Sequence, residues 1–247
     1  MTTGYIAAVA LALLIGFLLG SMGSGGSILT LPVLVYVAGV APQSAVPMSL
    51  AIVGTTSVLA AYLHARRGNF NLKAVLLLGA TGMIGAYLGT AGTHLVSSRT
   101  LMLIFAGLLL AVSIVMSRGS VAGILPGICR PLRCLTVGAA VGVLTGFLGV
   151  GGGFLIVPAL VLFAGLDTKM AIGTSLAIIA LNSAAGLVGQ VRYAELDWTL
   201  TTSLTGAAFT GMLLGLATAG RLSEETSRKA FASLLLIVGL VIAGANV

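Results

Sequence analysis

Two clusters in the chain carry the residues best suited to hold a small ligand. They are Gly23-Ser24-Gly25-Gly26-Ser27 and Gly149-Val150-Gly151-Gly152-Gly153, each followed a few positions on by a proline, Pro32 or Pro158. Glycine reaches backbone dihedrals closed to other residues, so a helix can unwind and restart at such a cluster. The restarted helix presents unpaired N–H groups and the positive end of its dipole, which is chemistry for an anion. The segment after each cluster adds hydroxyls and an amide: Ser49, Thr55, Thr56 and Ser57 in the first case, Thr174, Ser175, Asn182 and Ser183 in the second. Ser49 and Thr56 are seven positions apart, as are Ser175 and Asn182, so each pair shares a helix face. Such groups can donate hydrogen bonds to oxyanion oxygens. The candidate substrate-binding set is therefore Gly23, Ser24, Gly25, Gly26, Ser27, Ser49, Thr56, Gly149, Gly151, Gly152, Gly153, Thr174, Ser175 and Asn182. Two plainer roles compete: glycines in apolar helices often serve close packing, and Ser or Thr often bonds a carbonyl of its own or a neighbouring helix. Packing is the expectation for the scattered Gly82, Gly85, Gly89, Gly211 and Gly215.

Other chemistries lack their residues. No P-loop is present, since Ile28 and Phe154 stand where its lysine would begin, and the G-x-G-G-G run at Gly149 lacks a soluble sheet to serve. The five acids, Asp167, Glu195, Asp197, Glu224 and Glu225, fall in expected loops, which argues against a carboxylate proton relay. His64 and His94 end apolar segments and read as interfacial polar caps able to titrate near neutrality. Cys129 and Cys134 form C-x4-C without a second ligand pair, so they read as structural or incidental thiols; neither a metal nor a cofactor is expected.

The elements that position these residues must cross a membrane. Of 247 residues, 58% are hydrophobic and 7% charged, with mean hydropathy +1.18, whereas soluble domains carry about 25% charge. Apolar stretches from Tyr5 to Val247 are mostly long enough for roughly 30 Å of hydrocarbon. Met1 to Tyr5 lacks the basic start of a signal peptide, so the first segment is read as mature structure. The net charge of +7 is dispersed over short loops without interleaved aromatics, which argues against nucleic acid.

Setting Gly16 on Gly142, an offset of 126 positions, aligns the chain with itself for some eighty residues without a gap. The register pairs Pro32 with Pro158, Gly39 with Gly165, Ser49-Leu50-Ala51-Ile52 with Ser175-Leu176-Ala177-Ile178, Ser57 with Ser183, and Arg66 with Arg192. A register that includes Pro, Ser and Arg implies duplication. With Arg66, Arg67 and Lys73 inside, following the chain places ten basic residues inside and only Arg99 and Arg192 outside, out of twelve. Cys134 to Gly165, roughly 31 residues or about 47 Å of helix, then begins and ends on one face. The expected fold is an all-α integral membrane protein of two inverted repeats, each a Gly-broken hairpin plus three transmembrane helices. The expected organisation is 1–118 for the first repeat, 119–133 for a cytoplasmic linker and 134–247 for the second repeat, in the cytoplasmic (inner) membrane. Inverted repeats with matching broken helices are a transporter pattern.

Gly146-Phe147-Leu148-Gly149-Val150-Gly151-Gly152-Gly153-Phe154-Leu155-Ile156-Val157-Pro158, its degenerate copy from Gly20 to Pro32, and Ala171-Ile172-Gly173-Thr174-Ser175-Leu176 resemble the sulfite exporter TauE/SafE family of membrane permeases. The resemblance covers essentially the whole chain. It implies export of sulfite or an organosulfur anion such as sulfoacetate. Ser24 and Ser27 depart from the fuller motif, standing where the second copy has Val150 and Gly153. The expected function is alternating-access export of a small anion, with the two Gly-rich tips meeting near the midplane. A channel or uniporter of the same fold, and a membrane assembly subunit without transport, are the rivals. The expected partners are the anion and the lipid bilayer, and a homo-oligomer is compatible with this reading.

Overall fold

The computed structural model describes residues 2–23, 25–93, 95–117, 131–190, 196–218 and 224–246. Within them the chain forms ten helices, which fall into two matching sets of five. The first set is α1 (Thr2–Met22), α2 (Gly25–Pro32, prolonged by a π-helical turn Val33–Val37), α3 (Pro42–Arg66), α4 (Leu72–Thr93, with a π-helical turn at Val75–Gly79) and α5 (Ser98–Ser117). The second is α6 (Pro131–Leu148), α7 (Gly153–Ala164), α8 (Thr168–Gln190), α9 (Trp198–Thr218) and α10 (Glu224–Asn246). Adding 126 to the starts of α3, α4 and α5 gives the starts of α8, α9 and α10. Even the helix caps repeat: Asn71 Oδ1 accepts from the Ala74 N–H at the start of α4, and Asp197 Oδ1 from the Leu200 N–H at the start of α9.

Among the described residues seven helices are long and apolar enough to cross a membrane: α1, α3, α4, α5, α8, α9 and α10. The broken hairpins are lopsided. A full-length arm, α1, is followed by the short return α2; in the second half both arms, α6 and α7, are shorter. Arg118 to Arg130 lie outside the described residues, and α6 already begins at Pro131, so the last positions assigned to the linker are helical. Cys134 is buried and carries no free thiol, while Cys129 lies outside the described residues.

The halves are joined by glycine. A Cβ on Gly16 or Gly20 of α1 would run into the carbonyl oxygens of Ala208 or Met212 on α9; one on Gly211 or Gly215 of α9 would run into those of Leu13 or Phe17 on α1. Between α6 and α4 the same four contacts recur, Gly142 on Gly82, Gly146 on Ala86, Gly85 on Ala139 and Gly89 on Val143. The partners advance together, so each of these pairs is parallel. Small residues four apart on both helices allow backbones to approach this closely. The packing expectation for Gly82, Gly85, Gly89, Gly211 and Gly215 thus holds, and Gly16, Gly20, Gly142 and Gly146 join them.

The α3–α8 pair is antiparallel: Leu50 lies against Gly186, Ser183 against Gly54, and His64 against Gly173, one index rising as the other falls. So is α5–α10, where Ser113 Oγ donates to Ala232 O and Arg99 Nε to Asn246 O. Together with the short connections between α3 and α4 and between α8 and α9, these pairings make every spanning helix of one half run opposite to its counterpart. One end of the bundle carries Arg66, Arg67, Lys73, Lys169 and Lys229, the other Arg99. Exposed Ile6, Leu76, Ile84, Leu88, Leu213 and Leu240 face outward, whereas α3 is 72% buried at the centre.

Adding a methyl distinguishes packing glycines from open ones. Gly146→Ala should lower the unfolding midpoint of the detergent-purified protein, although alanine favours a helix by about 1 kcal/mol. Gly107→Ala, where a Cβ meets nothing within 4 Å, should leave it unchanged or raise it.

Candidate functional site

Each long arm ends in a left-handed glycine. Gly23 (φ 73°) and Gly149 (φ 69°) donate their N–H groups to Leu19 O and Thr145 O at 2.9 and 2.8 Å, closing α1 and α6. From there the two breaks differ. The first resumes helix at Gly25, with Gly26 packed on the Ile15 carbonyl and Ser27 buried in the first turn. The second keeps Gly151 (φ 65°) and Gly152 (φ 70°) left-handed before α7 starts at Gly153, and Thr145 fills the space beside Gly152. Ser24 lies outside the described residues.

The two turns do not face each other. Gly23 sits against Ile172 near the start of α8, and Gly149 against Val46 near the start of α3. Since α3 and α8 are antiparallel, the turns lie toward opposite ends of the bundle. The physical reason is length: α1, at 21 residues, reaches about 31 Å and carries its turn well past the middle. What approaches the centre is the descending backbone after the second turn. A Cβ on Gly151 would lie 2.8 Å from Val53 Cγ1 of α3 and 3.1 Å from Ser183 Oγ of α8. Beyond it, the short arms α2 and α7 pack against each other.

The side-chain expectations separate cleanly. Thr56 Oγ1 donates to Ile52 O at 2.7 Å and Ser175 Oγ to Ile172 O at 2.7 Å, so both satisfy their own helices. Thr174 Oγ1 accepts the Asn71 N–H at 3.0 Å and anchors the loop before α4. Ser49 Oγ and Asn182 Oδ1 are buried without a partner. So are Ser57 Oγ, Ser183 Oγ, His64 Nδ1 and Gln190 Oε1. All six of these unpartnered buried atoms belong to α3 or α8. In the antiparallel register they follow one another as a polar seam along the pair, Gln190 toward the end that carries Arg99, then Ser49, Ser183 and Asn182, then Ser57, and His64 at the basic end, with Asn182 turned to Gly82 of α4, Gln190 to Thr93 of α4 and His64 to Gly20 of α1.

Ser57 with Ser183 and His64 with Gln190 are equivalent under the 126-position repeat. That equivalence, together with the spacings Ser57–His64 and Ser183–Gln190, was the sequence signal that could have singled them out. His64 is 4% exposed, a buried group rather than an interfacial cap, and His94 lies outside the described residues. Apart from His64, the seam contains no titratable side chain among the described residues. The crevice beside Asn182, lined by Leu78, Gly138, Ile156 and Ile178, has no room for a water molecule.

Among the described residues no group of His, Cys, Asp or Glu is arranged to hold a metal ion. Ten apolar helices in two oppositely directed sets, enclosing a seam of unmet hydrogen-bonding groups, describe a polytopic membrane transporter. Sequence relatives agree. The chain is 33% identical to a probable membrane transporter protein of Xylella fastidiosa (strain 9a5c), over 93% of this chain and 91% of that protein. It is 24% identical to the probable membrane transporter protein YdhB of Bacillus subtilis over 82% and 85%, and 29% identical to a probable membrane transporter protein of Methanocaldococcus jannaschii over 73% and 72%. The model of the sulfite exporter TauE/SafE family matches residues 8–242, and the chain belongs to that family. No solved structure matches it.

An unpartnered hydroxyl costs stability where it stands, about 1–3 kcal/mol when buried. Ser183→Ala should therefore leave the thermal unfolding midpoint unchanged or raise it while transport falls; a drop in both would mean that the hydroxyl serves packing.

Proposed function

We propose that the protein exports a small sulfur oxyanion, sulfite or an organosulfonate such as sulfoacetate, by alternating access along the α3–α8 seam. The observation that carries this reading is the confinement of the six unpartnered buried side-chain atoms among the described residues to those two helices. In a lipid-facing protein such groups are costly, and a polar ligand that completes their hydrogen bonds explains their retention. Three of the six atoms, the hydroxyls of Ser49, Ser57 and Ser183, can donate to an anion, the starts of α2 and α7 supply N–H groups and positive dipole ends, and no described carboxylate stands in the seam. The other three, Asn182 Oδ1, Gln190 Oε1 and His64 Nδ1, are acceptors and call for a proton or a donor beside the anion. The sulfur chemistry rests on the family to which the chain belongs.

Each glycine turn then acts as a gate at one end, Gly23 beside the start of α8 and Gly149 beside the start of α3. Gly25, Gly26, Gly151, Gly152 and Gly153 provide the hinges from which the short arms move. The closed crevice at Asn182 fits a mechanism in which the arms shift before a ligand reaches that amide. In this reading the repeats are inverted across the inner membrane, with 1–118 and 134–247 as the repeat units. The basic end and the 119–133 linker face the cytoplasm, as the excess of Lys and Arg there requires. A negative interior favours anion exit by about 2.3 kcal/mol per charge per 100 mV.

Vesicles containing the purified protein should show saturable sulfite and sulfoacetate flux, at rates well below those of a conducting pore. Flux no greater than in empty vesicles would remove the substrate assignment. Gly151→Val, placing a branched side chain against Val53 and Ser183, should reduce flux at least tenfold without loss of membrane-inserted protein; unchanged flux would remove the hinge from the mechanism.

A further inference from the structure

His64 has a counterpart that cannot titrate. Counting 126 positions on from His64 gives Gln190, and both side chains are buried at the ends of equivalent helices. Each reaches toward the last turn of a long arm, just before its glycine. His64 Nε2 lies 3.5 Å from Gly20 O. Gln190 Nε2 donates to Thr93 Oγ1 at 3.0 Å, and Thr93 Oγ1 donates in turn to Phe147 O at 2.8 Å. The two ends of the seam are thus tied to the long arms by equivalent positions, directly through an imidazole at one end and through an amide and the Thr93 hydroxyl at the other.

A carbonyl only accepts, so the Gly20 contact assigns the ring proton to Nε2 and leaves Nδ1 as a bare acceptor. Nδ1 is buried and has no partner. The elements around the ring bring few charges. The end of α1 carries none, the loop after α3 brings Arg66, Arg67 and Lys73, and the start of α8 brings Lys169 with Asp167 just ahead of it. Arg67 bears on the ring electrostatically and is itself tied to Leu216 O at 2.9 Å. At the same end of the bundle Lys229, on the start of α10, is paired with Glu225.

We propose that His64 is a proton-binding site on the transport path, and that a proton and the exported anion bind together at the basic end only. The inference rests on the anion reading above. A proton on Nδ1 adds a positive charge beside that of Arg67 where no described carboxylate stands, and an anion is the ligand that offsets it. By linkage, each then raises the affinity for the other by the same factor. The new N–H also needs an acceptor that the closed arrangement does not offer, so the charged ring favours withdrawal of the Gly23 turn and entry of the anion. Gln190 closes the opposite end without charge, and the Gly149 gate is indifferent to pH.

The test uses the full-length protein in lipid nanodiscs and vesicles at about pH 6 and about pH 8, either side of the ordinary histidine range. Sulfoacetate is the probe, because its charge is constant between those values. Wild-type flux should be about tenfold higher at the lower pH, within the usual range of coupling between two sites. Hydrogen–deuterium exchange over Gly20–Gly26, corrected for the intrinsic effect of pH, should be faster there too. H64Q, which copies the side chain of the other half, should fold and lose both responses; H64N carries the same expectation if H64Q does not fold. A variant that keeps the wild-type flux ratio and exchange response would overturn the proton site. Loss of the exchange response in the variant, with no sulfoacetate moved by the wild type at either pH, would uphold the proton site and sink the sulfur-anion reading instead.

Discussion

Everything else in this molecule depends on eight glycines that let helix backbones touch. Lipid supplies no hydrophobic drive between apolar helices, so association rests on close contact and on weak Cα–H···O bonds available only at short range. Gly16, Gly20, Gly211 and Gly215 provide this for α1 and α9, and Gly85, Gly89, Gly142 and Gly146 for α4 and α6. Both contacts cross between the halves. Each long arm is therefore held by the other repeat, and the two welded pairs clamp α3 and α8 between them.

That clamp explains how the centre tolerates unmet polar groups. Six unpartnered buried atoms at about 1–3 kcal/mol each would be a heavy load for a structure held together only at its core. Here the packing is done at the flanks. The flanks also fix the depth of the glycine turns, because α1 and α6 cannot slide along α9 and α4 once glycine and carbonyl are in register. The turns at opposite ends and the polar track between them follow from one set of contacts.

Much of this was legible in the sequence. The offset relating Gly16 to Gly142 reproduces the helix starts of the second half, and the broken hairpins fall where the glycine clusters stand. Less legible was which hydroxyl is satisfied. Seven-residue spacing places Ser49 with Thr56, and Ser175 with Asn182, on common faces, but it does not say that Thr56 and Ser175 turn back to Ile52 and Ile172. Ser57 and Ser183 show the converse: nothing in their spacing says that their hydroxyls, unlike that of Ser175, are left without a partner. The tips stand apart because matching position in two repeats does not mean proximity. For oppositely directed halves, equivalent turns away from the axis are carried to opposite ends. His64 read as interfacial for a related reason, since it stands close to the end of α3 in sequence, yet α1 and the start of α8 cover it.

The exchange of arms between halves has a consequence for how the chain is made. Synthesis runs from α1 to α10, but α1 finds its glycine-lined partner only when α9 emerges, near residue 200. Until then the first membrane segment stands in lipid with the small residues of one face uncovered. Assembly must stay open until the chain is four-fifths complete, and the last two spans close it. A ribosome stalled in the linker would leave five helices in the bilayer with no welded pair among them, a substrate for quality control rather than half a transporter.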